Sequence, residues 1–432
     1  MLISLTMPTQ ALYDFKRGTS IQDQELTDVI QALSDPIYKT VGIPSGKVRH
    51  YVVVDPEINA AASVGPIMIL HTGILLTATA EQMAGVIAHE TGHIYARHVE
   101  LLMITIKERQ LLALGTTLLG AGIMIANPGA GLAVALGGSE IVRRGFFRWN
   151  RGKEAAADRT ATEILTKLNW PIEGLTSFLL MLHRRENLSS LKPDPYVLTH
   201  PDPKDRADVI LSKKTSAASS ATFPKDLNQR YLQLQAKLRG FIEPGAVTLR
   251  KTQGKKDKHS LYARSVGYHK LGKHPQSLEL LNTLIANDPK NPYYQETKGQ
   301  VLFVSGKHEE ARASYRTAVS LNPKGNLVRL SYAWSLLIGK NASPESALKI
   351  LEEMRETEKE NPEFWRLYAF ALGKMKRMGA MSWALAERSY LIGNIPEAKK
   401  QLERAIQFLK PQEKDINTKI KDLKNYLEHA TE

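Results

Sequence analysis

Apolar residues recur at helical spacing from Ile21 to Tyr38, where Leu26, Val29, Ile30 and Leu33 share one face. Val48 to Asp55 is a β-branched run and Ile67 to Leu70 a second, with turn signals at Asp55-Pro56 and Gly65-Pro66 between them. That pattern predicts two strands of a small sheet. A long helix is expected from about Ala80 past His98, opened by Thr79 and Gln82 as a capping box. Further helices are expected from Lys153 to about Leu168 and from Pro171 to Arg185.

Leu111 to Ser139 carries no charged residue. One reading is a transmembrane helix over Leu111 to Ile125, but about 15 residues fall short of the ~20 that a bilayer asks for. The other is a helical hairpin, buried or dipping into a membrane surface and broken at Asn127-Pro128-Gly129, and the length argument favours it.

From His259 the texture changes to helical repeats. Gly272 and Gly306 are 34 residues apart, and so are Pro289 and Pro323, which is the tetratricopeptide (TPR) period. The pattern returns at Gly393, Ala398, Ala405 and Pro411, while Gly339 to Pro362 forms a longer, irregular unit. One helix pair cannot bury its apolar face alone, so such pairs stack into a superhelix with a shared core. Trp334, Trp365 and Trp383 are expected in that core rather than on a binding face. The Ser- and Ala-rich stretch 213–224 reads as a linker or exposed loop, and the basic run 250–258 as a boundary.

Composition narrows the field. The 432 residues, 43% hydrophobic and 24% charged, give room for two or three globular domains. With no cysteine, disulfides, thiolate nucleophiles and thiolate metal ligands are excluded. A net charge of +14 suits anionic surfaces. Neither a paired-cysteine module nor an aromatic-basic sheet signature points to nucleic acid, so no nucleic-acid partner is expected. Leu2 to Met7 is apolar but has no basic residues before it, and Thr9-Gln10-Ala11 resembles the end of a signal peptide. Residues 1–20 are therefore read as a signal-peptide remnant and tail, with the true start lying upstream.

The candidate chemistry is concentrated in His89-Glu90-Thr91-Gly92-His93. On a helix, residues four apart lie on one face, so His89 and His93 can meet one zinc ion. Glu90, one residue on, is placed to take a proton from the attacking water as general base. Gly92 lets another backbone pack close against the helix. A catalytic zinc takes a third protein ligand and keeps a position open. Glu154 can be that ligand, and Asp158, one turn later, can hold a ligand histidine by its second nitrogen. His98 is read as structural, lying off the ligand face, and His50 and His71 have no clear metal role.

With these residues in view, the chain resembles gluzincin zinc metallopeptidases of the HtpX and CaaX-protease type, in the BepA-like periplasmic branch with C-terminal TPR repeats. The shared features are Asp55-Pro56 with Asn59-Ala60, His71-Thr72-Gly73, the motif at 89–93, the Glu154/Asp158 pair, and Thr199-His200-Pro201 followed by Arg206. The specific resemblance spans roughly residues 20 to 210; over the repeats it is architectural. It implies one Zn2+ held by His89, His93 and Glu154, with Glu90 as general base. It implies that Ile67, Met68 and Ile69 lie on an edge strand to which substrate adds. His200 would sit on a loop that can plug the site, and Arg206 would brace the loop or stabilise the oxyanion. Where relatives have a Gly-Gly pair, Gly65-Pro66 lacks an N–H, so one substrate hydrogen bond is expected to be missing.

The expected fold is mainly α. It comprises a gluzincin-type α+β peptidase domain with a small sheet (21–211), a linker and connecting helix (212–258), and an all-α TPR-like superhelix (259–432). The expected function is a zinc endopeptidase of the bacterial periplasm acting on misfolded or stalled cell-envelope polypeptides. The TPR domain would recruit substrate or outer-membrane assembly machinery, and 111–139 would touch the membrane peripherally. Two alternatives stand beside it: a TPR chaperone or assembly factor with a latent or structural zinc site, and a cytosolic peptidase.

Overall fold

The computed structural model describes residues 2–4, 16–104, 140–188, 195–213, 221–411 and 413–429. The uncharged stretch 111–139, most of the N-terminal tail and residues 214–220 of the Ser/Ala-rich segment lie outside these. The architecture is mainly α with one small sheet and a C-terminal helical repeat region, as the sequence pattern predicts. No helix among the described residues is long and apolar enough to cross a membrane. The chain divides into two compact units, one dominated by residues 13–263 and the other by 264–432.

In the first unit, strands β1 (Leu2–Ser4), β2 (Ser20–Gln22), β3 (Arg49–Val53), β4 (Ala60–Ser63) and β5 (Ile67–His71) form a sheet in the order β1-β2-β3-β5-β4. β5 pairs in parallel with β3 and antiparallel with β4, so both of its sides are occupied. The expectation that Ile67, Met68 and Ile69 form the outer edge is therefore corrected: the edge is β4. Its sequence, three alanines and a serine, has no β-branched run to announce a strand. Gly65, at φ +81°, turns β4 back onto β5. Pro66 accepts at its carbonyl from Arg49 N–H on the β3 side, so its missing N–H takes nothing from the outer edge.

Helix α1 (Gln24–Thr40) is capped by Asp23, which accepts from Leu26 N–H at 2.9 Å. A short α2 (Thr72–Thr77) leads into α3 (Ala80–Tyr95), which opens with the expected reciprocal Thr79/Gln82 capping box. α3 ends earlier than the apolar pattern suggests. Arg97 adopts a left-handed φ of 54°, and this turn takes His98 off the helix line. α4 (Glu140–Lys167) begins before the expected start at Lys153 and carries Glu154 and Asp158. α5 (Glu173–Leu188), α6 (Pro195–Thr199) and α7 (Pro203–Ser212) follow.

Close approach fixes α3 against its neighbours. A Cβ built on Gly92 would lie 2.8 Å from Ala157 Cα, and one on Gly85 would lie 2.6 Å from Leu175 N. Gly92 thus permits the backbone contact that brings the motif helix onto α4, as the sequence implied. From the other side, α8 (Lys225–Ile242) braces the end of α2. Tyr231 Oη donates to Leu75 O at 3.0 Å, and Gln235 Nε2 donates to Leu75 O and Ala78 O at 2.8 and 2.9 Å. α8 also carries Lys237, wholly buried, 2.6 Å from Asp23 and 3.6 Å from Glu25. Gln233 and Tyr262 complete the shell of Glu25. Burial pushes the Glu25 carboxyl up to about 7, against the pull of Lys237. α9 (Gly245–Thr252) and α10 (Lys258–Lys270) close the unit, whose boundary falls inside α10.

The second unit is a run of helix pairs from α11 (His274–Asn287) to α19 (Lys414–His429). Gly272, Gly306, Gly339 and Gly393 take positive φ in the inter-helix turns, while Lys376 supplies that conformation in the turn before Met378. Trp365 and Trp383 are core, with ring centroids 5.1 Å apart. Trp334 is half-buried, packing at the core margin against Phe370.

Gly92→Ala is expected to destabilise the first unit by roughly 1–3 kcal/mol through overpacking against Ala157. Gly152→Ala, where an added Cβ meets nothing within 4 Å, is the matched control and is expected to be neutral or mildly stabilising. Denaturant titration of both variants checks the pair.

Candidate metal centre

α3 presents His89 and His93 one turn apart, and α4 presents Glu154 toward them. Each imidazole is held by its outer nitrogen. His89 Nδ1 lies 2.9 Å from Asp158 Oδ1, and His93 Nδ1 lies 2.9 Å from His98 Nδ1. The Nε2 atoms are thereby left facing one point, which is how ligand imidazoles are oriented by their outer partners. His98, read from sequence as structural, has this place because the Arg97 turn folds it back onto His93.

His89 Nε2 and His93 Nε2 are 3.1 Å apart. Glu154 Oε2 lies 3.3 Å from His89 Nε2, and its Oε1 lies 3.3 Å from His93 Nε2. His200 adds a fourth donor: its Nδ1 is 3.3 Å from His89 Nε2 and 2.9 Å from Glu154 Oε2. Donors at tetrahedral zinc, with bonds of 2.0–2.1 Å, stand about 3.3 Å from one another. Four buried donor atoms at that spacing fit a metal ion. Glu154 Oε1 points the same way: it is buried and makes no well-aligned hydrogen bond despite its nearness to His93. Among hydrogen-bonded groups such an oxygen is costly, whereas a cation would satisfy it.

The electrostatics agree. Burial opposes a charge on Glu154, yet the surrounding histidines, His200 foremost, hold its carboxyl well below the usual range. Burial and the Arg206 guanidinium oppose a charge on His89, but hydrogen bonds to Asp158 and Glu154 prevail and raise it to about 9. His93, by contrast, is held below its ordinary value because burial opposes its charge.

Glu90 is buried beside the donors and does not join them. Its Oε2 accepts from Ala62 N–H of β4 at 2.9 Å, and its Oε1 accepts from Tyr196 Oη at 3.4 Å. Tyr196 stacks on His200 with centroids 4.4 Å apart. It was not singled out from sequence, where a lone tyrosine in a Pro-rich segment carries no ligand or base signature. Arg206, on α7, forks onto Asp158 at 2.7 and 2.8 Å and lies 3.0 Å from Glu154 Oε2. Ile67, Met68 and Ile69 stand one strand away from the outer edge, whereas β4 touches Glu90 directly. His71 Nε2 and Nδ1 take no part in this cluster; its Nδ1 is 4.0 Å from Asp55, which is bound by Arg17.

Asp158→Ala is expected to weaken metal retention by about 10–100-fold, since it removes the acceptor that orients His89. Competition with a chromophoric chelator measures the change.

Residues 20–214 match the family described as Peptidase family M48, and residues 258–390 match a tetratricopeptide repeat family. The chain is 25% identical over 394 residues to the beta-barrel assembly-enhancing protease of Yersinia pestis, covering 88% of this chain and 78% of that protein. It is 25% identical over 411 residues to the protein of the same name from Escherichia coli K12, covering 91% and 82%. A putative beta-barrel assembly-enhancing protease of Vibrio cholerae is 25% identical over 398 residues, covering 90% and 80%. Residues 20–214 thus form a Peptidase family M48 domain, of a family of metallopeptidases, and tetratricopeptide repeats follow that domain.

Proposed function

We propose that the chain is a zinc metalloendopeptidase of the bacterial periplasm, acting on misfolded or stalled envelope polypeptides. His89, His93 and Glu154 hold Zn2+, Glu90 is the general base, and Asp158 fixes His89. The observation that carries this reading is the convergence of His89 Nε2, His93 Nε2 and Glu154 on one buried point, with Glu90 beside it. Zn2+ held by His89, His93 and Glu154 would supply Lewis acidity that makes a water at the site a better nucleophile. Glu90 takes the proton as the water attacks a peptide carbonyl and returns it to the leaving amine.

Substrate binding is assigned to β4. His71 N–H donates to Asn59 O, so in the antiparallel register Ala61 and Ser63 face β5, and Ala60 and Ala62 turn their backbone groups outward. A substrate strand added there reads backbone more than side chain. The domain limits 21–211 for the peptidase and 259–432 for the repeats belong to this reading. In it the repeats recruit substrate or outer-membrane assembly machinery, in line with the name of the relatives, and 111–139 contacts the membrane peripherally.

His200 supports a latent ground state. It stands where the fourth donor of the metal would be, while Tyr196 of the same segment and Ala62 engage both oxygens of Glu90. Arg206 braces this closed arrangement: its guanidinium is committed to Asp158 and Glu154 rather than free for an oxyanion. The same closure favours a second reading, an assembly factor or chaperone whose protease site stays shut.

Glu90→Gln separates the two. Peptide cleavage should fall by on the order of 10²–10⁴-fold with zinc content and folding unchanged; cleavage at the original rate would remove Glu90 from the chemistry. His200→Ala is expected to accelerate cleavage of an unfolded protein such as casein. An unchanged or slower rate would show that the histidine does not hold the site closed.

A further inference from the structure

Helices α8, α9 and α10 enclose a half-open cavity of about 330 Å³, lying within the first unit and away from the metal centre. Its floor is apolar and small, made by Leu232, Ala236 and Ala263. Its rim is cationic: Arg239, Lys251 and Lys255 face a single carboxylate, Glu243, which Lys251 engages at 2.8 Å. The balance favours an anion. His259 also lines the cavity, and its Nε2 is buried without a hydrogen-bond partner. Such an atom is unfavourable until a partner is supplied. Burial holds the His259 pKa below its ordinary value while a hydrogen bond to the Gln229 backbone engages the ring, so Nε2 of the neutral ring is an acceptor, open to a peptide N–H.

We propose that this cavity binds a peptide C-terminus: a terminal carboxylate at the cationic rim, with the last apolar side chain on the Leu232 and Ala236 floor. The volume is at the lower end of ligand sites, enough for one or two residues. A phospholipid would need far more apolar volume for its chains, and a bare phosphate would leave the apolar floor uncovered. The position gives the occupant leverage. Gln235 and Arg239 line the cavity and donate to the carbonyls of Leu75, Leu76 and Ala78, directly ahead of the Thr79 cap of the motif helix. An occupant therefore touches the side chains that seat α3.

The test is calorimetric titration of the full chain with N-acetyl-leucine, its amide and inorganic phosphate. The free acid is expected to bind about tenfold or more tightly than the amide, the difference expected of a charged hydrogen bond. Lys255→Glu should weaken the acid by a similar factor, and Ser260→Phe, at the mouth, should block it. Equal affinity for acid and amide, phosphate binding as tight as the acid, no binding of the acid at millimolar concentration, or indifference to both variants would each overturn the proposal. Binding is read without turnover, so the outcome is independent of whether Glu90 and zinc perform as proposed.

Discussion

The first unit is organised around the burial of carboxylates that cannot stand alone. Glu90, Glu154 and Asp158 all lie in the interior beside three histidines and one arginine. An ionised carboxylate out of water is strongly unfavourable unless it is paired. Arg206 neutralises Asp158 and leans on Glu154; Asp158 in turn holds His89. Glu154 keeps an oxygen that no donor satisfies well. Three carboxylates against one guanidinium leave a negative centre that a cation would balance, so the capacity to hold a metal ion and the packing of α3, α4 and α7 are one problem.

Much of this was legible in the sequence because it is local. Two histidines four apart on a capped helix, and two carboxylates four apart on another, are periodicity statements, and Gly92 announces close packing by lacking a side chain. The TPR period survives as recurrent positive-φ glycines between helix pairs. What failed was non-local or unpatterned. β4 is three alanines and a serine, invisible to a β-branched criterion, while the family resemblance puts the edge on the Ile67–Ile69 run. His98 stands outside the donor group, as its spacing implies, but its contact with His93 depends on a left-handed Arg97 that ends the helix early. Tyr196 owes its position to a tertiary fold-back onto Glu90, more than a hundred residues away in sequence, and no spacing rule reaches that far.

The edge strand also explains how the site can be both ready and shut. The outward N–H of Ala62 satisfies one oxygen of Glu90, and Tyr196 satisfies the other. A peptide strand added to β4 would compete for the Ala62 N–H. Exchange of one hydrogen bond for another has a small net free-energy change, so it would release that oxygen of Glu90 at little net cost.

Lys237 bears on where the catalytic part ends. It comes from α8, after the segment that matches the peptidase family, yet its ammonium lies between Asp23 and Glu25 at the head of α1. Excising the protease at residue 214 would strand two acidic groups in a dry interior, and losing one member of such a pair costs about 3–5 kcal/mol. The folding unit around the peptidase domain thus draws on α8, beyond the residues 20–214 that match the family.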